Sequence, residues 1–223
     1  MKILASSTVE NYLKQIFVAQ QRRAGQLVSM GVLAKAVGVT PGTATAMIKA
    51  LADSGLVDYT PRDGVRLSSS GEQLALHVLR RHRLIELFLV NMIGLDWSEV
   101  HEEAEELEHA ISDKVLERID RLLGQPTVDP HGDPIPTAKG KLTRLKLQSL
   151  ADCDRGQTVR VRRVSDQDPA FLQFVERNGL RPGIDVKVVD SDIVADAVTV
   201  CPNGQASVTI GRGAAAKVMV EDV

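Results

Sequence analysis

Apolar residues recur at helical spacing near the start of the chain. Over residues 8–24, Tyr12, Ile16 and Ala19 share one stripe with Leu13 and Phe17 beside it, which predicts an amphipathic helix. A second, short helix is expected over residues 29–37, capped by Ser29 and turning Val32, Leu33, Ala36 and Val37 inward. Gly38-Val39 interrupts it. Thr40-Pro41 then opens a third helix, with Thr40 as N-cap and Pro41 at the first helical position, where its missing N–H costs nothing. That helix directs Met47, Ile48 and Leu51 inward and stops at Ser54-Gly55. Alternating residues 56–59 and 65–67 flank the turn Pro61-Arg62-Asp63-Gly64 as a strand pair. The helical period returns over 72–91 and, after Ile93-Gly94-Leu95-Asp96, over 98–122, where Ser98 behind the bulky Trp97 serves as N-cap. From residue 158 the period becomes two, with strands expected at 159–161, 186–189, 198–200, 208–210 and 218–220. They are separated by Gly-containing turns and by a helical insert over 171–178 that Gly179 ends, a pattern that predicts a small β-barrel.

Helix, helix, tight turn, helix, hairpin is the order of a winged helix-turn-helix. The third helix presents the small residues Gly42, Thr43, Thr45 and Ala46, which permit close approach to a major groove, and its N-terminal N–H groups suit a phosphate. Thr40, Gly42, Thr43, Thr45, Lys49 and Arg62 therefore form the candidate DNA-binding set, with Lys49, Arg62 and Arg66 placed for backbone contacts. No Arg, Asn or Gln stands at the start of that helix for bidentate base contacts, so thymine-methyl contact and DNA shape carry the readout. Winged helices also serve as protein-interaction modules; local charge favours DNA. The 223 residues carry a net charge of −2, yet residues 1–70 carry +4, residues 71–125 carry −6 and the remainder is neutral. The near-neutral total conceals a basic head and an acidic middle.

Composition removes several other classes. With 43% hydrophobic and 25% charged residues the chain reads as folded, and 3% aromatics argue against a single-strand stacking platform. The N-terminus has no apolar core of a secretory signal, and no stretch approaches the roughly 18 apolar residues of a membrane helix. Cys153 and Cys201 make neither a disulfide framework nor a metal clip, so a reducing, cytoplasmic setting is expected. The chain lacks a glycine-rich phosphate loop and a nucleophile elbow.

The acidic middle concentrates potential metal ligands. His82 and Glu86 are four apart on the first long helix; on the second, His101, Glu105 and Glu108 follow at helical spacing, with His109 four from Glu105. Any one of these histidines alone is more simply a surface or core residue, and Glu102, Glu103 and Glu106 are more simply solvated charges. Taken jointly, two helices each place imidazole and carboxylate donors on one stripe. A mixed set without thiolate suits hard to borderline divalent ions such as Mn(II), Fe(II), Co(II) or Zn(II), and an ion there relieves the −6 segment and couples to ordering.

The strings Arg81-His82-Arg83-Leu84-Ile85-Glu86, Ile93-Gly94-Leu95-Asp96, Val100-His101-Glu102-Glu103-Ala104, Leu107-Glu108-His109-Ala110-Ile111-Ser112-Asp113 and Asp129-Pro130-His131-Gly132-Asp133-Pro134-Ile135-Pro136 resemble the diphtheria-toxin-repressor family of metal-dependent transcriptional regulators, over essentially the whole chain. The resemblance implies a mainly α protein with β. Its parts are a winged helix-turn-helix over 1–70, a helical metal-binding and dimerisation domain over 71–125, a Pro-rich mobile linker over 126–155 and an SH3-like, FeoA-type small β-barrel over 156–223. It implies a non-enzymatic homodimer that, with metal bound, represses metal-uptake genes at a palindromic double-stranded DNA operator. It also implies one site from His82, Glu86 and His101, completed from the C-terminal domain, and another from Glu105, Glu108 and His109, completed by Asn11. Glu105 stands where iron-responsive members carry sulfur and manganese-responsive members carry Glu, which puts Mn(II) ahead of Fe(II) on ligand hardness. Asn11 matches neither branch, and Lys14 occupies the place of a second carboxylate used by short manganese regulators. In Asp166-Gln167-Asp168-Pro169, Asp168 is equally a ligand for the first site or the cap of the helix that Pro169 begins. Two other functions stand as alternatives: a regulator sensing an organic ligand through the C-terminal domain, and a His/carboxylate metalloenzyme.

Overall fold

The structure, a computed structural model, describes residues 6–22, 26–143 and 145–223. The chain forms two compact units, Met1–His82 with Pro136–Leu142, and Arg83–Ile135 with Thr143–Val223.

The first unit contains α1 (Ser7–Arg22), α2 (Met30–Ala36), α3 (Pro41–Asp53), the hairpin β1 (Val57–Thr60) and β2 (Gly64–Leu67), and most of α4 (Ser69–Phe88). The last two residues of the helix predicted over 8–24 lie outside the described residues. Tyr12, Leu13, Ile16 and Phe17 of α1 pack with Leu33, Ala34, Ala44, Ile48, Leu51, Val65 and Leu76 in one core. On α2 the buried pair is Leu33 and Ala34, whereas Val32 is 40% exposed and Ala36 is exposed, so the inward face is rotated from the predicted one. Ser29 and Thr40 accept hydrogen bonds from the amides of Val32 and Thr43 at 3.4 and 3.2 Å, which stops each helix from running backwards. The hairpin pairs Asp58 with Arg66 and Tyr59 with Val65, and Val28 and Val65 exchange backbone hydrogen bonds of 2.8 and 2.9 Å. Gly64, at φ +143°, is needed there because a Cβ would stand 2.6 Å from the carbonyl of Val28.

In the second unit, α4 passes into a π-helical turn, Leu89–Ile93, that ends at the left-handed Gly94. Then come α5 (Val100–Leu107) and α6 (Asp113–Leu122). The single helix predicted over 98–122 is therefore two. Glu108 ends α5, and Ser112 caps α6 by accepting from Val115 N at 3.4 Å. Ser98 does not cap α5; its N–H and hydroxyl both donate to Asp96, an Asx-type turn that competes with the cap.

The C-terminal part holds β3 (Gln148–Ser149), β4 (Thr158–Val164), α7 (Pro169–Arg177), β5 (Asp185–Asp192), β6 (Ala197–Pro202), β7 (Val208–Gly211), α8 (Arg212–Ala215) and β8 (Val218–Asp222). Every strand predicted from alternation is present, but the closed, SH3-like barrel is not. The strands form one antiparallel sheet in the order β3-β8-β4-β5-β6-β7, and among the described residues β3 and β7 remain edges. α8 carries the chain away from β7 before β8 pairs with β4, and β3 has only two residues to offer an opposite edge. Register shifts at 161/163 in β4 and 188/190 in β5 bend the sheet without closing it. Its inner face is valine-rich, and Trp97 is buried in the same core. The chain is thus mainly α with a C-terminal antiparallel sheet.

Candidate metal centre

α4 runs unbroken through His82 and Glu86, so its own geometry sets them one turn apart on one face. His82 is 4% exposed and Glu86 is fully buried. α5 brings His101 to Glu86, with Nδ1 3.2 Å from Oε1. The same imidazole reaches Glu105 through Nε2 at 3.7 Å, the predicted one-turn pairing along α5. Glu105 and Glu108 offer carboxylate oxygens within 4.8 Å of each other.

Past that point the predicted stripe breaks. α5 ends at Leu107, Glu108 is its C-cap and His109 lies in the turn that follows, so these two neighbours are not donors along a continuing helix. They meet directly instead, His109 Nε2 standing 3.4 Å from the buried Glu108 Oε1. Asn11 lies half-buried on α1 in the first unit. Asp168 takes the cap geometry: its Oδ1 accepts from Phe171 N at 3.0 Å, and its own N–H donates to Asp166. Asp166 in turn holds Lys217 Nζ at 2.6 Å.

Sequence reasoning missed a second group of donors. Asp129 and His131, from the Pro-rich run, converge with Glu86, their donor atoms all within 4.8 Å. Asp129 Oδ1 accepts from the amides of both His131 and Asp133 at 2.9 Å. Arg83, one helical step from His82, supplies the countercharge, with Nε 3.5 Å from Asp129 and Nη2 3.3 Å from Asp133. Asp133 also pairs with Arg163 at 2.8 Å. Burial, then the charges of Asp133 and Glu86, push the Asp129 carboxyl well above the usual carboxylate range despite Arg83. The sequence signal was present in Asp129-Pro130-His131-Gly132-Asp133, three ionisable residues at alternate positions, but proline content marked the run as a connector.

In the head, Thr40, Gly42, Thr43 and Lys49 are exposed around the start of α3, whose first turn carries no acid. Thr43 Oγ1 lies 3.0 Å from that of Thr40, and Thr45, half-buried, donates to Pro41 O at 2.7 Å. Arg62 occupies the exposed tip of the hairpin at φ 74°. Arg66 is turned to Asp58 at 3.0 Å across the strands.

The donor set fits a divalent ion by its chemistry. Imidazole nitrogens and carboxylate oxygens, Glu86 and Glu108 among them fully buried, converge without sulfur among the described residues. Residues 5–65 match the N-terminal DNA-binding domain of iron-dependent repressors, residues 68–137 their metal-binding and dimerisation domain, and residues 148–222 the FeoA domain. The chain is 28% identical over 228 residues to the iron-dependent repressor IdeR of Mycobacterium leprae, covering 97% of each. Its fold is similar to a manganese-dependent transcriptional repressor in complex with manganese, at a TM-score of 0.88 and 40% identity, covering 96% of this chain and all of the other. It is also similar to the manganese regulator SloR, at a TM-score of 0.75 and 30% identity over 96% of this chain and 98% of the other.

Proposed function

The chain belongs to the diphtheria-toxin-repressor family of iron- and manganese-dependent transcriptional repressors, and from that premise we propose how its residues divide the work. It is a metal-dependent repressor that binds operator DNA as a homodimer, and it is not an enzyme. We assign residues 1–70 to DNA recognition, 71–125 to metal binding and dimerisation, 126–155 to the connection and 156–223 to the FeoA-type domain. Among the described residues no helix is long and apolar enough to cross a membrane, and the reading places the protein in the cytoplasm.

The observation that carries the metal assignment is the Glu86–His101 pair, a fully buried carboxylate 3.2 Å from an imidazole that also reaches Glu105. His82, Glu86 and His101 form one site in this reading, with Asp168 as its contribution from the C-terminal sheet domain. Glu105, Glu108 and His109, with Asn11 from α1, form the other. Carboxylate oxygen in place of sulfur favours Mn(II), with Fe(II) second. The exposed apolar side chains Met92, Ile93, Val115 and Leu122, each 47% or more exposed, supply the dimer face. Thr40, Gly42, Thr43, Thr45, Lys49 and Arg62 meet DNA, and pairing of two heads in the dimer matches a palindromic operator upstream of metal-uptake genes.

Operator binding by the full chain, followed by fluorescence anisotropy at fixed salt, tests the reading. Tight binding is expected with Mn(II) and its loss with a chelator; equal affinity in both would overturn the gating.

A further inference from the structure

Trp97, the only tryptophan of the chain, precedes α5 in the sequence, yet its side chain is 1% exposed and packs in the core of the C-terminal sheet. A buried indole needs an acceptor for its N–H. Glu176, on α7, supplies it, with Oε2 3.1 Å from the indole nitrogen. Arg181, just after α7, donates from Nη1 to the other oxygen of Glu176 at 2.8 Å. Its guanidinium carbon lies 4.7 Å from the indole centroid, a cation–π distance. The buried His131 ring stacks on the indole with centroids 5.5 Å apart. A carbonyl only accepts, so His131 Nε2 donates to the Trp97 carbonyl at 2.9 Å.

The residue held in this way is the entrance to α5. Among the described residues no side chain caps α5 at Glu99, and a helix of 8 residues is marginal by itself. Its first turn is held by tertiary contacts instead. Val100 and Ala104 pack with Ile85 and Leu89, and Ser98 is tied back to Asp96 through its N–H and hydroxyl. Trp97 anchors the chain immediately before them. His101 stands second in α5 with its side chain 42% exposed, so the helix backbone places it rather than its own packing. The 3.2 Å approach of its Nδ1 to Glu86 therefore depends on where α5 begins.

We propose that Trp97 is a positioning residue through which the C-terminal domain raises the metal affinity of the site containing Glu86 and His101, without supplying a ligand. A donor already held near its bound place loses less conformational freedom when the ion arrives, so releasing the grip weakens binding. The route is independent of Asp168, whose Oδ1 serves as the cap of α7. The metal is that of the family reading; the route rests on the contacts of Trp97 alone.

The side chains of Glu176 and Arg181 are 37% and 42% exposed, so both can be cut back without opening the core. The full-length chain and its Glu176→Ala/Arg181→Ala variant are titrated with Mn(II), free ion being read from its EPR signal. One binding step is expected to weaken by about 10-fold, the low end for groups that orient metal ligands. No weakened step in the folded variant overturns the proposal. A cycle with His101→Ala separates positioning from a general loosening of the fold. In that background the pair of substitutions is expected to leave the remaining isotherm unchanged, because the route ends at His101. An equal loss with and without His101 overturns the proposal too. Should the double variant unfold, Trp97→Phe, which keeps a ring in the core and removes only the N–H given to Glu176, carries the same cycle under the same two criteria. A variant of unchanged affinity whose operator binding still requires Mn(II) loses this route and keeps the family reading.

Discussion

The DNA-recognition head and the cluster around Glu86 use polar side chains in opposite ways. In the head, Thr40, Gly42, Thr43, Lys49 and Arg62 are exposed, and the hydroxyls make only local bonds within α3 and its cap. Around Glu86 the ionisable side chains are buried: Glu86 and His131 completely, with Asp129 and Asp133 at 4% and 5% exposure. An exposed polar group costs the fold almost nothing and is free to serve binding alone. A buried charge costs several kcal/mol unless it is paired, so each one must be held by something else in the fold. Substitutions in the two regions therefore separate: in the cluster they move stability and metal affinity, in the head they move DNA affinity.

The largest effect is expected at Arg83. Arg83→Ala leaves Asp129 without its cation and takes one of two from Asp133, and breaking such a buried arrangement typically costs about 3–5 kcal/mol. Urea unfolding of the metal-free chain measures it, and a loss under about 1 kcal/mol would put the cluster in the same class as the surface. Next comes Glu86→Gln, which keeps shape and removes charge. Mn(II) affinity is expected to fall by about 100-fold, at the upper end of what neighbouring-shell changes do, with the metal-free fold intact. A drop of only a few-fold would show that Glu86 does not hold the ion.

A smaller effect of opposite sign is expected at Asp129. Its carboxyl is held above the ordinary 3.8, first by burial and then by Asp133 and Glu86. The folded state therefore keeps this proton over a pH range in which the unfolded chain has released it. Its contribution to stability is full below the ordinary value and is lost as pH rises through the folded one. Asp129→Asn, whose amide oxygen can still accept from the His131 and Asp133 amides, should raise the melting temperature of the metal-free chain at neutral pH. The gap to wild type should close on acidification. Parallel melting curves for the two proteins from pH 4 upward would break this part of the contrast.

The two regions also differ in how far they could be read from sequence. The head was legible because its signals are local: Thr40-Pro41 places a cap and a first turn within two residues, and Pro61-Arg62-Asp63-Gly64 places a turn between alternating strands. In the sheet, alternation revealed each main strand, since period two reports which side chains point inward. It does not report which strand neighbours which, so closure was expected where β3 and β7 leave the sheet open. In the donor cluster, helical spacing recovered the one-turn pairs His82/Glu86 and His101/Glu105, but it ran on through Glu108 and His109, where Ser112 competes by capping a new helix. Asp129 and His131 were invisible to any periodicity because they sit on a loop, and what brings them to Glu86 is tertiary: Gly132 against the Arg162 carbonyl and Arg83 reaching Asp129 and Asp133.

The smallest effect, and the sharpest test of the head, is expected at Lys49. It is exposed on α3, so Lys49→Ala should change stability by no more than about 0.5 kcal/mol. If its ammonium meets a phosphate, binding weakens by a similar factor on every sequence, and the slope of log K against log salt becomes shallower by about 0.9 for each phosphate left without its ammonium. Because the protein binds as a dimer, both heads are altered and the slope should move by about twice that. Metal dependence should survive, since Lys49 is on a helix that carries none of the proposed donors. An altered slope with unaltered Mn(II) dependence keeps recognition and metal sensing separable. A loss of Mn(II) dependence in this variant would mean that the exposed head and the buried cluster are not divided in the way their burial implies.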